Sequence, residues 1–154
     1  MSRAPAPPQS ASERVADPAD VERFRTDLIA LTGEAPSFAR PIGVAVSGGP
    51  DSMALLDLAV QAWPGRVAAA TLDHGLRAES AAEAAMVARW CAERRVPHAT
   101  LAPETAVSGN IQDWARRQRY AQLEAWRAGA GLDWILTAHH ADDQLETLLA
   151  PYAL

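Results

Sequence analysis

A chain of 154 residues that is 49% hydrophobic and carries a formal charge of −5 has room for one domain with a real core and none for a second full domain. The acidic balance argues against a stand-alone nucleic-acid binder, although a local arginine cluster can still meet a phosphate backbone. The single cysteine, Cys91, excludes an internal disulfide or a cysteine-built metal cluster. No apolar run reaches the length of a membrane span, and the proline-rich, acid-containing N-terminus does not read as a secretory signal, so a cytosolic chain is expected.

Residues 1–19 are rich in Ala, Pro and Ser without periodicity and are expected to form a disordered arm ahead of a domain spanning 20–154. Val21, Phe24, Leu28 and Leu31 recur at intervals of three or four, which predicts an amphipathic helix. Ile42 to Val46 is a short apolar run with the character of a buried strand. It leads through Ser47-Gly48-Gly49-Pro50-Asp51-Ser52 into a helical pattern from Met53 to Ala62. Gly65 ends that element. Val67 to Leu72 predicts a second strand, Ala78 to Arg95 a helix that includes Cys91 as a buried thiol, and His98 to Leu101 a short strand after Pro97. Gly109 to Ala128 predicts another long helix, Trp134 to Ala138 a strand, and the segment from about Ala141 or Asp142 to the end a final helix. Repeated strand-then-helix order predicts an α/β fold: a mostly parallel sheet with helices on both faces, joined by right-handed crossovers.

In such a sheet ligands sit beyond the carboxyl ends of the strands, and polar clusters fall at those ends. After the first strand, Gly48 and Gly49 let a ligand approach the backbone and Pro50 suits the first helical position. Backbone N–H groups, the Ser47 and Ser52 hydroxyls and the helix end would converge on an anion. Asp51 would repel a bare phosphate, so a Mg²⁺ ion between carboxylate and phosphates is the better reading. The loop is not a Walker A sequence, since the chain contains no lysine and all fourteen of its basic residues are arginines. Nor does it match the GxGxxG dinucleotide fingerprint.

After the second strand come Asp73, His74 and Arg77. Asp73 is placed to orient a ribose or to cap the following turn, His74 to pack or hydrogen-bond, and Arg77 to meet a phosphate or a carboxylate. After the fourth strand come His139, His140, Asp142 and Asp143, where adjacent histidines point apart. A Mg²⁺ ion shared between Asp51 and Asp142 or Asp143 fits better than a histidine site, with helix capping by Asp142 the structural alternative. The helix segment Asn110–Tyr120 holds the strongest basic cluster, with Arg116 and Arg119 on one face and Arg117 turned aside.

Four ordered motifs, SGGPDS (Ser47–Ser52), LDHGLR (Leu72–Arg77), GNIQDWARRQRY (Gly109–Tyr120) and AHHADDQLET (Ala138–Thr147), resemble the tRNA(Ile)-lysidine synthase family. That family is a branch of the PP-loop, N-type ATP pyrophosphatase superfamily with an adenine nucleotide alpha hydrolase-like fold. The resemblance covers about Val21 to Leu149. It implies an ATP-dependent carbon–nitrogen ligase that adenylates the C2 oxygen of the wobble cytidine in a tRNA(Ile) with a CAU anticodon and then joins free L-lysine to C2, giving lysidine. It further implies that Ser47, Gly48, Gly49, Pro50, Asp51 and Ser52 hold the ATP phosphates and Mg²⁺, with Asp142 and Asp143 completing the acidic side. Arg116 and Arg119 would contact reacting phosphates or substrate, and Asp73 and His74 the nucleoside half of ATP. Asp51, Arg116, Arg119 and Asp143 are the residues expected to carry the chemistry. Members continue beyond the segment at Glu146–Leu149 into an arginine- and glycine-rich region, so this chain is expected to be the N-terminal catalytic domain of a longer enzyme. A tRNA thiolase of the same superfamily, a non-catalytic ATP-binding remnant and a small α/β interaction protein remain as alternatives, the first disfavoured by the single cysteine. A homodimer is left open.

Overall fold

The computed structural model describes residues 16–138 and the backbone of 145–149. Helix α1 (Pro18–Thr32) starts on the Asp17 cap, whose carboxylate accepts the Ala19 N–H at 2.8 Å, and Pro18 takes the first turn. This helix therefore begins inside the stretch expected to be an arm, because an aspartate followed by proline is a start signal in its own right. There follow β1 (Ile42–Ala45), α2 (Pro50–Ala62), β2 (Val67–Leu72), α3 (Ala78–Glu93), β3 (His98–Leu101), α4 (Ile111–Ala130), β4 (Trp134–Ala138) and β5 (Leu145–Leu149). Helix α4 is capped by Asn110, which accepts from the Gln112 and Asp113 N–H groups, and ends at Gly131 in the left-handed conformation.

The strands form one sheet in the order β3-β2-β1-β4-β5. The pairs β3–β2, β2–β1 and β1–β4 are parallel, and β4–β5 is antiparallel. Period-two alternation sorts the sheet's two faces. Ile42, Val44 and Val46 join Phe24 and Leu28 of α1, Leu56 and Ala59 of α2, and Val87 and Cys91 of α3 in one core. On the other face Ala45 and Ile135 pack with Leu123 of α4, bordered by Leu72, Leu101 and Trp126. Helices α1 to α3 thus cover one face and α4 the other, so that β1 and β2 are buried on both faces while the edge strand β3 is only partly covered.

The expected helix after Asp142 is corrected over its described part: Leu145–Leu149 is a strand, with Ala138 paired to Leu145 and Trp134 to Leu149. The outer edge of β4 would otherwise present a row of unpaired backbone groups, and the edge-filling ladder satisfies them. The other expected elements agree to within a few residues. Among the described residues no helix is long and apolar enough to cross a membrane.

The order places β2 on one side of β1 and β4 on the other, so successive connections leave β1 in opposite senses. The strand order thus reverses at β1, and its carboxyl end is where a crevice is expected in an open sheet of this kind.

Candidate functional site

At the end of β1 the chain turns through a loop held by its own serines. The Ser47 N–H donates to Ser52 Oγ at 3.1 Å, the two hydroxyl oxygens lie 3.0 Å apart, and the Gly49 N–H donates to Ser47 Oγ at 3.3 Å. Ser52 Oγ in turn donates to the Gly49 carbonyl at 3.2 Å. Ser52 is buried, 4% exposed, while Ser47 is exposed. One serine therefore anchors the turn from below and the other faces solvent.

Gly48 has φ +88°, a backbone state that costs an L-residue strain. A Cβ there would also come within 3.2 Å of Glu83 Cβ. Gly49 is the N-cap of α2 and supplies no capping side chain, and Pro50 follows at the first helical position. A helix N-terminus without a capping side chain, at the floor of a crevice, is suited to an anion.

The crevice is a cavity of about 430 Å³. Its walls come from the ends of three strands: Ala45, Val46, Ser47 and Ser52 around β1, Leu72, His74, Leu76 and Arg77 after β2, and Ala138 at the end of β4. Ser80 and Glu83 of α3 and Arg119 of α4 complete it. The volume lies within the range typical of small-molecule sites.

Among the sequence-expected residues, Ser47, Ser52, His74, Arg77 and Arg119 line the cavity, whereas Gly48, Gly49, Pro50 and Asp51 of the same loop, together with Asp73 and Arg116, are not part of its wall. Asp73 accepts the Gly75 N–H at 2.9 Å, so its carboxylate caps the turn after β2, one of the two roles its position suggested. Arg116 is exposed, with its guanidinium carbon 5.9 Å from the Tyr120 ring centroid. The two arginines share a helix face, but only the one a turn further along reaches the cavity.

His74 stacks at a tilt on Trp114, with ring centroids 5.9 Å apart. Burial, reinforced by the Arg119 guanidinium and opposed by Asp73, holds its imidazole below the ordinary range. His74 Nδ1 and Trp114 Nε1 are both buried without a hydrogen-bond partner. His74 thus lines the crevice while its Nδ1 lies buried behind the wall without a protein partner.

Arg77 lies 3.7 Å from Glu83, so of its two expected partners the free protein shows the carboxylate. Sequence reading missed Ser80 and Glu83. The available signal was spacing, since Arg77, Ser80 and Glu83 recur every third residue from the start of α3 and share one side of it.

The fit of a metal can be judged from the donor set. No group of three His, Cys, Asp or Glu side chains gathers among the described residues, so these residues build no all-protein cage. Asp51 stands exposed in the first turn of α2. One such carboxylate suits a Mg²⁺ ion that takes its remaining ligands from phosphate oxygens and water. Asp142 and Asp143, the other expected ligands, lie outside the described residues, as do His139 and His140.

Comparison with known proteins agrees with this geometry. The tRNA(Ile)-lysidine synthase of Novosphingobium aromaticivorans is 50% identical over 127 residues, covering 82% of this chain and 37% of that protein. That of Ruegeria pomeroyi is 49% identical over 114 residues, covering 71% of this chain and 27% of that protein. The chain thus spans about a third of the length of the curated relatives it matches. Among solved structures, the U34-tRNA thiolase NcsA of Methanococcus maripaludis superposes with a TM-score of 0.63 at 13% identity, over 82% of this chain and 48% of that one, a likeness of fold alone. The family model described as the PP-loop domain matches residues 21–152, a span that takes in the glycine turn and both crevice-lining helices, and the chain belongs to the PP-loop domain family.

Proposed function

We propose that this chain is the ATP-binding catalytic domain of a tRNA(Ile)-lysidine synthase, which uses ATP to join free L-lysine to C2 of the wobble cytidine of a tRNA(Ile) bearing a CAU anticodon. The observation that carries the reading is the serine-braced glycine turn after β1, opening at a helix N-terminus into a cavity that also receives two arginines. Membership of the PP-loop family supports ATP as the substrate, and the named relatives support the tRNA and the product.

On this reading Ser47 and the backbone of Gly48 and Gly49 hold the phosphates, and Ser52 keeps the turn closed beneath them. Asp51, with Asp142 and Asp143, would hold the Mg²⁺, which when bound offsets the negative charge that builds on the phosphates during transfer. Arg119 reaches the cavity from α4 and stabilises the same charge from the opposite wall. His74, whose imidazole is held below its ordinary range by burial and by Arg119, stands beside that arginine on the cavity wall. It borders the nucleoside half of ATP, with Asp73 shaping the turn that presents it. Arg116 faces outward, toward the polynucleotide.

The C2 oxygen of cytosine is a poor leaving group, and transfer of the adenylyl group from ATP to that oxygen, with release of pyrophosphate, makes it a good one. The lysine ε-amine, as the free base, then forms the new C–N bond at C2 while AMP departs with the oxygen, and a carboxylate of the site accepts the amine's proton. An acidic domain of net charge −5 has little long-range attraction for RNA, so tRNA recognition falls to the region that follows this domain in the relatives.

Two measurements test the reading. Calorimetric titration of the chain with ATP should show affinity that depends on Mg²⁺; equal affinity with and without the ion would reject the metal bridge. Lysine incorporation into tRNA(Ile), followed by mass spectrometry of the nucleosides, should rise far more than ATP affinity when the chain is extended by the region that follows in its relatives. Equal incorporation by both proteins would overturn the division of labour between domain and extension.

A further inference from the structure

Glu83 has no place in the chemistry described above, yet it is the carboxylate among the described residues on the cavity wall. Its stem is packed where a Gly48 side chain would stand, with Glu83 Cβ 3.2 Å and Met86 Cε 3.7 Å from that position. Its carboxylate faces the Arg77 guanidinium at 3.7 Å, and both side chains are largely open to solvent. A carboxylate beside a phosphate loop weakens anion binding unless it is neutralised or does something in return.

We propose that Glu83 is a positioning residue that holds Arg77 against the cavity in the free protein and releases it to the phosphate oxygens of the incoming nucleotide. This rests on the reading of the cavity as a nucleotide site. Four observations suit that exchange. Arg77 sits at the N-cap of α3, where its side chain makes no capping hydrogen bond, and Glu83 is the carboxylate it faces. The pair is exposed and separated by 3.7 Å rather than closed into a bidentate contact, and such pairs are weak. A phosphate offers the guanidinium a charge-assisted and more complementary partner. Finally, the Glu83 stem lies beside Gly48, with its Cβ 3.2 Å from where a Gly48 side chain would begin, so the arginine it faces stands next to the loop that receives the phosphates.

The test is a double-mutant cycle on Mg²⁺–ATP affinity, using the whole chain with Glu83→Gln, Arg77→Ala and both together. Arg77→Ala should weaken binding by about tenfold, the loss of one charge-assisted contact. Glu83→Gln alone should weaken it by about threefold, since Arg77 loses its direction and must be ordered on binding. In the Arg77→Ala background the same Glu83→Gln change should reverse sign and tighten binding, because only its repulsion of phosphate is left. Glu83→Asp should recover part of the wild-type affinity. Melting temperatures of the variants should stay within about 1 °C of wild type, as expected for an exposed pair.

Glu83→Gln tightening binding in both backgrounds would show a simple repulsive charge and overturn the proposal. Equal weakening in both backgrounds would overturn it too, by showing that Glu83 acts through the loop and not through Arg77. Wild-type protein that binds no nucleotide under any condition would instead refute the nucleotide-site reading, and this inference with it.

Discussion

Replacing Gly48 by alanine tests the link from backbone conformation to binding. Gly48 holds φ +88° and lies under Glu83, whose Cβ would be 3.2 Å from the new methyl group. Forcing an L-residue into the left-handed region costs about 1–2 kcal/mol, and crowding against an atom next to the α3 backbone adds to it. Gly33 is the matched control, since it holds φ +87° at the end of α1 with nothing within 4 Å of an added Cβ. Gly33→Ala therefore carries the strain without the crowding. For a chain of this size about 2 kcal/mol corresponds to a fall of about 4–8 °C in Tm, so Gly48→Ala should melt about that much lower and Gly33→Ala somewhat less low. The two should separate more sharply in ATP titrations. A methyl group on the loop obstructs the close approach of phosphate, and affinity should fall at least about tenfold for Gly48→Ala, or about 1.4 kcal/mol, while Gly33→Ala binds as wild type. Differential scanning calorimetry and isothermal titration read the two quantities. Equal melting temperatures together with equal affinities would refute the claim that this glycine serves both the turn and the ligand.

Further outcomes follow from the core and its titrating groups. In β1, a Cβ on Gly43 would stand 2.8 Å from Leu132 Cδ1 and 3.0 Å from the Trp126 ring, so Gly43→Ala should lower stability by about 1–2 kcal/mol, overpacking outweighing the gain from removing a strand glycine; a higher urea midpoint would contradict it. His98 accepts or shares a hydrogen bond with the buried Thr71 hydroxyl at 2.9 Å, and burial lowers its pKa. The unfolded chain then binds the proton more readily, so this contribution is present above the ordinary imidazole pKa and is lost as pH falls through it toward the folded value. Urea midpoints compared at pH 7.5 and pH 5.5 should drop for wild type and drop less for His98→Asn, and parallel drops would exclude His98 as the cause. The Cys91 thiol is fully buried and pushed up to about 11, which predicts negligible reaction with a thiol reagent at pH 7 in the native state and rapid reaction in urea; fast native labelling would show that α3 opens.

The sequence by itself determined the alternation of strands and helices, because each apolar period matches one element. It also determined the glycine turn after β1, because adjacent glycines accept backbone angles denied to other residues and Pro50 suits the first position of the helix that follows. The family followed from the same residues, since four motifs fall in order, three of them after strands and one at the start of α4. Tertiary structure decided how the polar residues divide. Asp73 read equally as a ribose ligand or a turn cap until its carboxylate was seen on the Gly75 N–H. Arg116 and Arg119 are equivalent in a helical projection, and only the packing of α4 across the sheet sends one to the cavity and the other outward. Glu83 shares a helix side with Arg77 and Ser80, but its place beside Gly48 on the cavity wall comes from the packing of α3 against the loop after β1 and not from local spacing. Leu145–Leu149 shows the opposite failure, since a run rich in leucine satisfies its backbone equally well within a helix or along a strand edge. The neighbour it met, the unpaired side of β4, settled the choice, for backbone hydrogen bonding must be satisfied locally or by whatever edge the fold leaves open.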